Sequence, residues 1–445
     1  MSKTTNFHNT KFVSFDGSIN INSQCHFPNN SHDLEQIPNN FPRISRGGGY
    51  SYAAPSFGKN ILSQDMTSFD KILEFDEKTK TVVVESGITL KKLLNWSFKK
   101  KLFLKIQPGH PDITIGGCIG SNVHGKNPYK DGDFINVVLE IKLYHPEHGI
   151  IILNRNQNSE IFELTCGGLG LTGIILSAKI QLDVLPSDRM IFERTPVDSL
   201  MDTVKLFQKN LDVDFISSWH IGSSSKKFFG KGIAYKGIFA NNFKNNKLIL
   251  PKNESLTSLS RSRLPFSIWN KITAPIAYSL YRYREIKSPK SYEKNIFDSF
   301  FPFGGNAKYY HLFYGKNGLV EYQILVDFNK VEDFINDLTK LIEIEKPPLI
   351  LIFLKPFRGN QKYLRYTGSG ISFALNFQRS FITSDFLSKL DNLLISYGAI
   401  LHIIKGPSKR VVQTCFSEYS KFVEDLKKFD PKRIYKSDLS EKLDL

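Results

Sequence analysis

Cysteine is scarce in this chain and never clustered. Cys25, Cys118, Cys166 and Cys415 stand far apart with no Cys-x-x-Cys pair, which argues against a zinc knuckle or a disulfide framework and points to reduced thiols in the cytosol. Long apolar runs are missing too: no uninterrupted stretch approaches the roughly 20 residues of a spanning helix. No apolar core of signal-peptide length follows the N-terminal lysines, so export is not expected. Carboxylates are outnumbered, 43 against 59 Lys and Arg, which leaves a net charge of +16. That surplus suits any polyanion, whether nucleic acid, an anionic membrane face or a phosphorylated substrate, and it equally suits a compositional habit of the source genome. No helix-turn-helix, RNP or zinc-finger pattern organises the basic residues, so nucleic acid is not the expected partner.

What is present is the composition of a folded soluble protein, 41% hydrophobic and 23% charged over 445 residues. That length exceeds one ordinary core, and two domains are the expectation. Glycine is concentrated in three places. Phe41 to Tyr52 sets a short apolar strand before Gly47, Gly48 and Gly49; successive N–H groups in such a loop form an anion nest able to hold a pyrophosphate, with Arg46 beside it. The spacing matches neither the Rossmann fingerprint nor a Walker lysine loop. Pro108 to Asn127 carries Gly109, Gly116, Gly117, Gly120 and Gly125 along a nearly uncharged path. Backbone there can lie against something bulky and flat, and the path ends at His124, Lys126 and Asn127, where titratable groups gather. Cys166 to Leu176 is a third glycine run leading into an apolar strand.

Between these runs, Thr81 to Gly87 reads as a strand with a glycine stop, and Thr89 as the cap of a helix from Leu90 to about Lys100. Phe134–Tyr144 and Ile150–Leu153 read as paired strands. Residues 1–40 are polar and uninformative, with a short helix expected near Asp33–Gln36.

Taken in order, Arg-Gly-x-Gly-x-Ser-Tyr (46–52), Glu-Ser-Gly (85–87), Pro-Gly-x5-Gly-Gly (108–117), His-Gly-Lys-Asn (124–127) and Gly-Gly-x-Gly-Leu-Thr-Gly-Ile-Ile (167–175) resemble the FAD-binding domain of the vanillyl-alcohol oxidase / p-cresol methylhydroxylase (PCMH) superfamily. The resemblance continues to the C-terminus through Phe300–Phe303, Tyr310–Gly315, Val320–Val326, Ile352–Phe357, Leu401–Lys405 and Phe429–Leu439, and is weakest over residues 1–40 and 225–295. It is strongest toward the branch that oxidises a polyprenyl-phosphate-linked sugar. The implied fold is α+β: a PCMH-type two-subdomain FAD-binding domain (1–185), an α+β substrate or cap domain with an antiparallel sheet (186–399), and a C-terminal segment (400–445) that returns to the FAD domain and the active site.

The resemblance implies FAD held by Arg46, Gly47, Gly48, Gly49, Tyr50, Ser51, Tyr52, Pro108, Gly109, Ile115, Gly116, Gly117, Cys118, Gly120, Ser121, Asn122, His124, Gly125, Asn127, Gly170, Gly173 and Ile175. Covalent members often carry a flavin-linked histidine just before the serine of the first glycine loop. Tyr50 stands there instead, so non-covalent FAD is expected. Lys405, His124 and Tyr52 are the implied catalytic residues, and Gln323, Glu321, Lys355, Phe357, His402 and Ala374 the implied substrate contacts; no metal is expected. Lys405 follows the apolar run Ala399–Ile404, and an ammonium emerging from a desolvated wall has a lowered pKa that suits a base or a hydroxyl donor. Glu321, His402 and Ala374 depart from the Gln, Tyr and Cys of the sugar-oxidising branch, so the substrate is not expected to be identical.

The implied reaction is FAD-dependent oxidation of a secondary sugar hydroxyl by hydride transfer to flavin N5, the first half of an epimerisation that a nicotinamide-dependent short-chain reductase would complete. An aldonolactone or alditol oxidase acting on a free sugar or lactone is the enzymatic alternative, and His402 and Lys405 fit its His-x-x-Lys-like element. A non-enzymatic basic binding protein is the alternative of another class. Arg261 to Lys294 interleaves basic residues with Phe266, Trp269, Tyr278, Tyr281 and Tyr283, a pattern that suits a peripheral contact with the inner membrane face and equally an ordinary solvated loop.

Overall fold

A computed structural model describes residues 7–38, 41–244, 248, 264–301, 312–406 and 408–445. Arg261, Arg263, Pro302, Phe303, Tyr310 and His311, which belong to segments singled out above, lie outside them. The fold mixes helices with three principal sheets in which antiparallel pairing dominates.

The first sheet has the order β1-β2-β4-β3, from β1 (Phe7–Val13), β2 (Asn20–His26), β3 (Arg43–Arg46) and β4 (Leu62–Asp65). Its β1–β2 hairpin corrects the reading of residues 1–40 as uninformative surface. Polar side chains hid it, because these strands are held mainly by the backbone ladder from Phe7↔His26 to Val13↔Asn20 and bury few side chains of their own, Phe12, Ser23, Cys25 and His26, with Phe12 and Cys25 packing on Ala54 and Phe57. The short helix is Ser31–Glu35, capped by Asn30.

The second sheet is antiparallel, β5-β6-β10-β8-β9, from β5 (Ile72–Asp76), β6 (Thr81–Glu85), β8 (Val138–His145), β9 (Gly149–Asn154) and β10 (Ile174–Gln181), with β7 (Leu102–Phe103) pairing with β11 (Asp183–Val184) at its side. The expected strand at 134–144 begins later, since Phe134–Val137 form a 3-10 turn. The helix Leu90–Phe98 is capped by Thr89 and buries Leu90, Leu93, Leu94 and Phe98, the periodic positions that marked it in the sequence.

The third sheet is antiparallel and eight-stranded, β15-β12-β14-β13-β17-β18-β16-β19. Its strands are β12 (Arg189–Val197), β13 (Phe215–Ile221), β14 (Gly232–Phe239), β15 (Ser291–Asn295), β16 (Leu319–Asp327), β17 (Leu349–Phe357), β18 (Gly370–Gln378) and β19 (Ile400–Leu401). The two-residue period of a strand divides its side chains sharply. Tyr322, Ile324 and Val326 of β16, Ile352 and Leu354 of β17, and Phe373, Leu375 and Phe377 of β18 pack into one core with the helices Leu200–Gln208, Val331–Glu345 and Phe381–Tyr397. Glu321, Gln323, Lys355, Phe357, Ser372 and Ala374 therefore share the opposite face, and that face looks toward the glycine loops.

The C-terminal residues bind the assembly together. Ala53 N–H donates to Ile404 O, Arg43 N–H to Ile434 O, and Lys436 N–H to Arg43 O. Ile44, Leu164, Leu169, Ile403, Ile404, Val412, Phe422 and Leu439 bury one another in a shared cluster.

Candidate active site

The three glycine runs meet around one cleft. It is lined by Arg46–Ser51, Ser86, Thr114, Gly116, Gly117, Gly120, Ser121, Gly170, Ile175 and Ile404, and encloses about 900 Å3 including its open mouth. Local chemistry explains the meeting. Thr114 caps the helix Ile115–Ser121 by accepting from Gly117 N–H at 3.3 Å, and a methyl group at Gly47 would fall 2.2 Å from the same Thr114 oxygen. Only glycine lets the first loop lie over this helix start. Gly120 differs: a methyl there meets nothing nearer than Gly170 N at 3.7 Å, so its missing side chain leaves room in the cleft. Ser86 Oγ, in the cleft wall, is buried without a partner among the described residues. An unpaired buried hydroxyl beside bare glycine backbone is a cradle for a polar, planar ligand.

Arg46, Gly47, Gly48, Gly49, Tyr50, Ser51, Gly116, Gly117, Gly120, Ser121, Gly170 and Ile175 thus line the cleft as expected. Arg46 adds one detail. Its guanidinium donates to Ser56 Oγ at 3.0 Å and lies over the rings of Phe12 and Phe57, and its Nη2 lies against Gly49, so it braces the loop as well as bordering the cleft. Tyr50 stacks on His110 with ring centroids 4.0 Å apart and donates its hydroxyl to Asp112 at 3.4 Å; burial and Asp112 push that phenol's pKa upward.

Other expected cofactor residues are engaged in the protein's own packing. Ile115 and Cys118 sit in the core, Asn122 bonds Asp133 and Ile135 N–H, and Asn127 donates to the carbonyls of Leu211 and Val213. Gly173, at φ +134°, is required because a side chain would strike Tyr144 O. Pro108 accepts from Lys126 Nζ at 3.4 Å, Gly109 faces open space, and Gly125 packs on the backbone of Ile106 and Gln107.

The polar face of the third sheet supplies the second half of the site. Gln323 Nε2 donates to His124 Nε2 at 3.1 Å and to Ser372 Oγ at 3.3 Å, and Tyr366 donates to the same Ser372 oxygen at 2.7 Å. His124 Nδ1 lies 3.3 Å from Gly125 O, so the network assigns the ring proton to Nδ1. Phe357 packs edge-on to His124 and His402 stacks on Tyr366. Lys355 donates to Gly125 O at 3.3 Å. Lys405 Nζ pairs with Glu321 at 3.0 Å and lies 3.9 Å from the centroid of the Tyr52 ring. Ala374 is registered opposite Gln323 and leaves a partly open wall.

Electrostatics divide these groups. Burial, reinforced by Lys355, holds His124 well below the ordinary histidine range, and burial with Lys405 lowers His402 to about 3. Both are neutral rings at working pH. Lys126 is driven well down by burial and by Lys355, and Lys355 falls to about 8 through burial and Lys405. The ammonium expected to emerge from a desolvated wall at Lys405 keeps 24% exposure of its side chain and has a carboxylate partner, while burial is deeper at Lys126 and Lys355. Lys126, Tyr366 and Ser372 were not among the expected site residues. Lys126 was signalled only by its place beside His124, and the other two by nothing local.

Comparison with known proteins accords with this geometry. Residues 38–153 match the family model described as an FAD binding domain. Over 414 residues, 90% of this chain and 89% of the other, the sequence is 25% identical to decaprenylphosphoryl-beta-D-ribose oxidase of Mycolicibacterium smegmatis. Shorter matches reach L-gulonolactone oxidase of Mus musculus, 28% identical over 30% of each chain, and D-2-hydroxyglutarate dehydrogenase of Stutzerimonas stutzeri, 25% identical over 41% of this chain and 40% of that one.

Proposed function

We propose that this chain, an FAD-dependent oxidoreductase with an FAD-binding domain of the vanillyl-alcohol oxidase / PCMH type, oxidises a secondary hydroxyl of a sugar carried on a polyprenyl phosphate. The observation that carries the reading is the succession Lys126, Lys355 and Lys405, in which Glu321 pairs with Lys405 at 3.0 Å and also acts on Lys355, while Lys126 has, among the described residues, only Lys355 as a charged neighbour. Burial first, and then the neighbouring ammonium in each case, lowers Lys126 and Lys355, so the charged forms of both are under-compensated by the protein. Holding them together is costly unless an anion joins them, and a sugar phosphate is such an anion. The likeness along nine-tenths of the chain to an oxidase named for decaprenylphosphoryl ribose supports the same class. In this reading residues 1–185 hold the cofactor, residues 186–399 the substrate, and the C-terminal segment closes the site.

FAD, when bound without a covalent link, supplies the hydride acceptor at flavin N5. The pairing of Lys405 Nζ with Glu321 supports a charged donor that fixes the reacting oxygen, with the Glu321 carboxylate next to it to take the hydroxyl proton. Neutral His124 is a poorer acceptor because its Nε2 already receives the Gln323 amide; it orients. Gln323, His402 and Tyr366 present polar edges to a polyol, Phe357 closes the wall, and Ala374 widens it. The product ketone would be consumed by a nicotinamide-dependent reductase, completing an epimerisation.

A second reading, oxidation of a free sugar or lactone, is favoured by the turn that joins Lys405 N–H to His402 O at 2.9 Å and by the likeness to L-gulonolactone oxidase. Anaerobic mixing separates the two. A short-prenyl phosphoryl-β-D-ribose is expected to bleach the flavin and L-gulono-1,4-lactone to leave it oxidised; the reverse result installs the second reading. Acid precipitation is expected to release the yellow colour to the supernatant, and colour in the pellet overturns the non-covalent assignment.

A further inference from the structure

The helix Thr273–Lys287 is divided lengthwise in an unusual way. Ala274, Ala277 and Tyr278 pack inward on a cluster that contains Trp219, Trp269, Tyr314 and Tyr52. The other side exposes Ile272 (65%), Ile276 (53%), Leu280 (67%) and Tyr283 (62%), spaced three or four residues apart along one stripe. Phe266 and Ile286 extend it. Apolar residues scattered singly on a surface need no explanation, whereas a continuous stripe does.

Charge selects the occupant. Lys271, Arg284, Lys287 and Lys290 are exposed around the stripe. The sole carboxylate within residues 264–290 is Glu285, and it is turned inward, accepting from Tyr235 at 2.9 Å and pairing with Arg194 at 3.1 Å. Apolar side chains flanked by cations, with no outward carboxylate of the helix's own and one exposed neighbour, Asp198, already neutralised by Arg282 at 2.9 Å, match a bilayer whose headgroups are anionic. Among the described residues no helix is long and apolar enough to cross a membrane, so the contact is one of lying on the surface.

We propose that the outer face of helix Thr273–Lys287 rests on an anionic lipid surface, and that the aromatic cluster beneath it is the passage by which a membrane-held substrate reaches the site. The cluster is packed ring against ring from the helix to the site: Tyr278 lies 5.3 Å from Trp269 and 5.8 Å from Trp219, ring centroid to centroid, and Trp219 shares its cluster with Tyr52, which carries Lys405 on its face, so entry by this route means parting these rings. The docking surface stands on exposure and charge alone; only the passage rests on the lipid-linked substrate reading.

Sedimentation of the flavin-loaded protein with vesicles tests it. Wild type is expected to pellet with phosphatidylglycerol-containing vesicles, to pellet less with phosphatidylcholine alone, and to be released by salt. The double variant Ile276→Asp/Leu280→Asp alters solvent-facing positions and should keep its flavin absorbance and Tm while its partition falls about ten-fold or more. Wild type left in the supernatant, or a double variant that pellets like wild type, overturns the proposal. So does a wild-type dimer in solution that the double variant dissolves and that ignores vesicles, because a second copy would then be the occupant. Vesicle binding needs no substrate, so failure of the sugar reading leaves this result standing. Lost vesicle binding with undiminished oxidation of a long-prenyl substrate held in vesicles overturns the passage alone.

Discussion

Lys355 and Lys405 stand on one pocket wall under opposite electrostatic conditions. Lys405 has a carboxylate at 3.0 Å and partial contact with solvent; Lys355 has a carbonyl, and burial and Lys405 bring its pKa down to about 8. A lysine whose folded pKa lies below its unfolded value near 10.5 leaves the unfolded chain with more bound protons between those two pH values. Stability therefore rises with pH through that window, and the full cost is felt below about pH 8. Lys355→Met should raise the free energy of unfolding at pH 7 by on the order of 2 kcal/mol, with the gain gone above about pH 10.5; scanning calorimetry across that range checks it, and a pH-independent gain would assign the effect to packing. Lys405→Ala should retain flavin and slow substrate-dependent flavin reduction about a thousand-fold, as expected for losing a donor at the reacting oxygen. Wild-type bleaching by that variant in stopped flow would remove Lys405 from the chemistry. These residues could not be joined by any local spacing, since His124, Gln323, Lys355 and Lys405 are scattered along the chain. Likeness to a family brought them together in the sequence, and it named neither Ser372 nor Tyr366, whose roles exist only through the hydrogen bonds that converge on one serine oxygen.

At the level of elements, amphipathic pattern and capping gave reliable readings where the apolar face was regular. The helix after Thr89 and the strand from Thr81 are of this kind. The helix Ile115–Ser121 was hidden because Gly116, Gly117 and Gly120 each cost roughly 1 kcal/mol of helix propensity; its readable signals were the cap at Thr114 and the left-handed Asn122, at φ 42°. The β1–β2 hairpin was hidden for the opposite reason, with too few apolar residues to mark a face. Gly120 offers a sharp test of the cleft. Gly120→Val has room to fold, yet it fills the cradle, so FAD affinity should fall by roughly two orders of magnitude with little change in apoprotein stability. Flavin content after gel filtration and the apoprotein Tm together decide it; undiminished flavin would place the dinucleotide elsewhere.

On the scale of the whole molecule, two surfaces that are distant in sequence face each other across the site. The glycine loops come before residue 180 and the polar sheet face after residue 320, and the C-terminal residues fasten them through Arg43, Ala53 and Phe57. The excess of positive charge, ambiguous as a total, gains meaning from its placement, with Lys355 and Lys405 beside Glu321 near the polar sheet face and several cations around one exposed helix. That placement was unreadable from composition, because burial and facing are properties of the folded chain. Removing residues 430–445 should yield a protein without visible absorbance, since Ile434, Lys436 and Asp438 hold the backbone that carries the first glycine loop; a yellow truncated protein would show that the strap is dispensable.

The same strap fixes an order of events during biosynthesis. A nascent chain emerging from the ribosome can form β3 and the first glycine loop early, but Ile404 and the 434–438 segment that back that loop are made more than 350 residues later. The first glycine loop therefore gains its full backing only after residues 404–438 have been made and folded onto it, long after the loop itself.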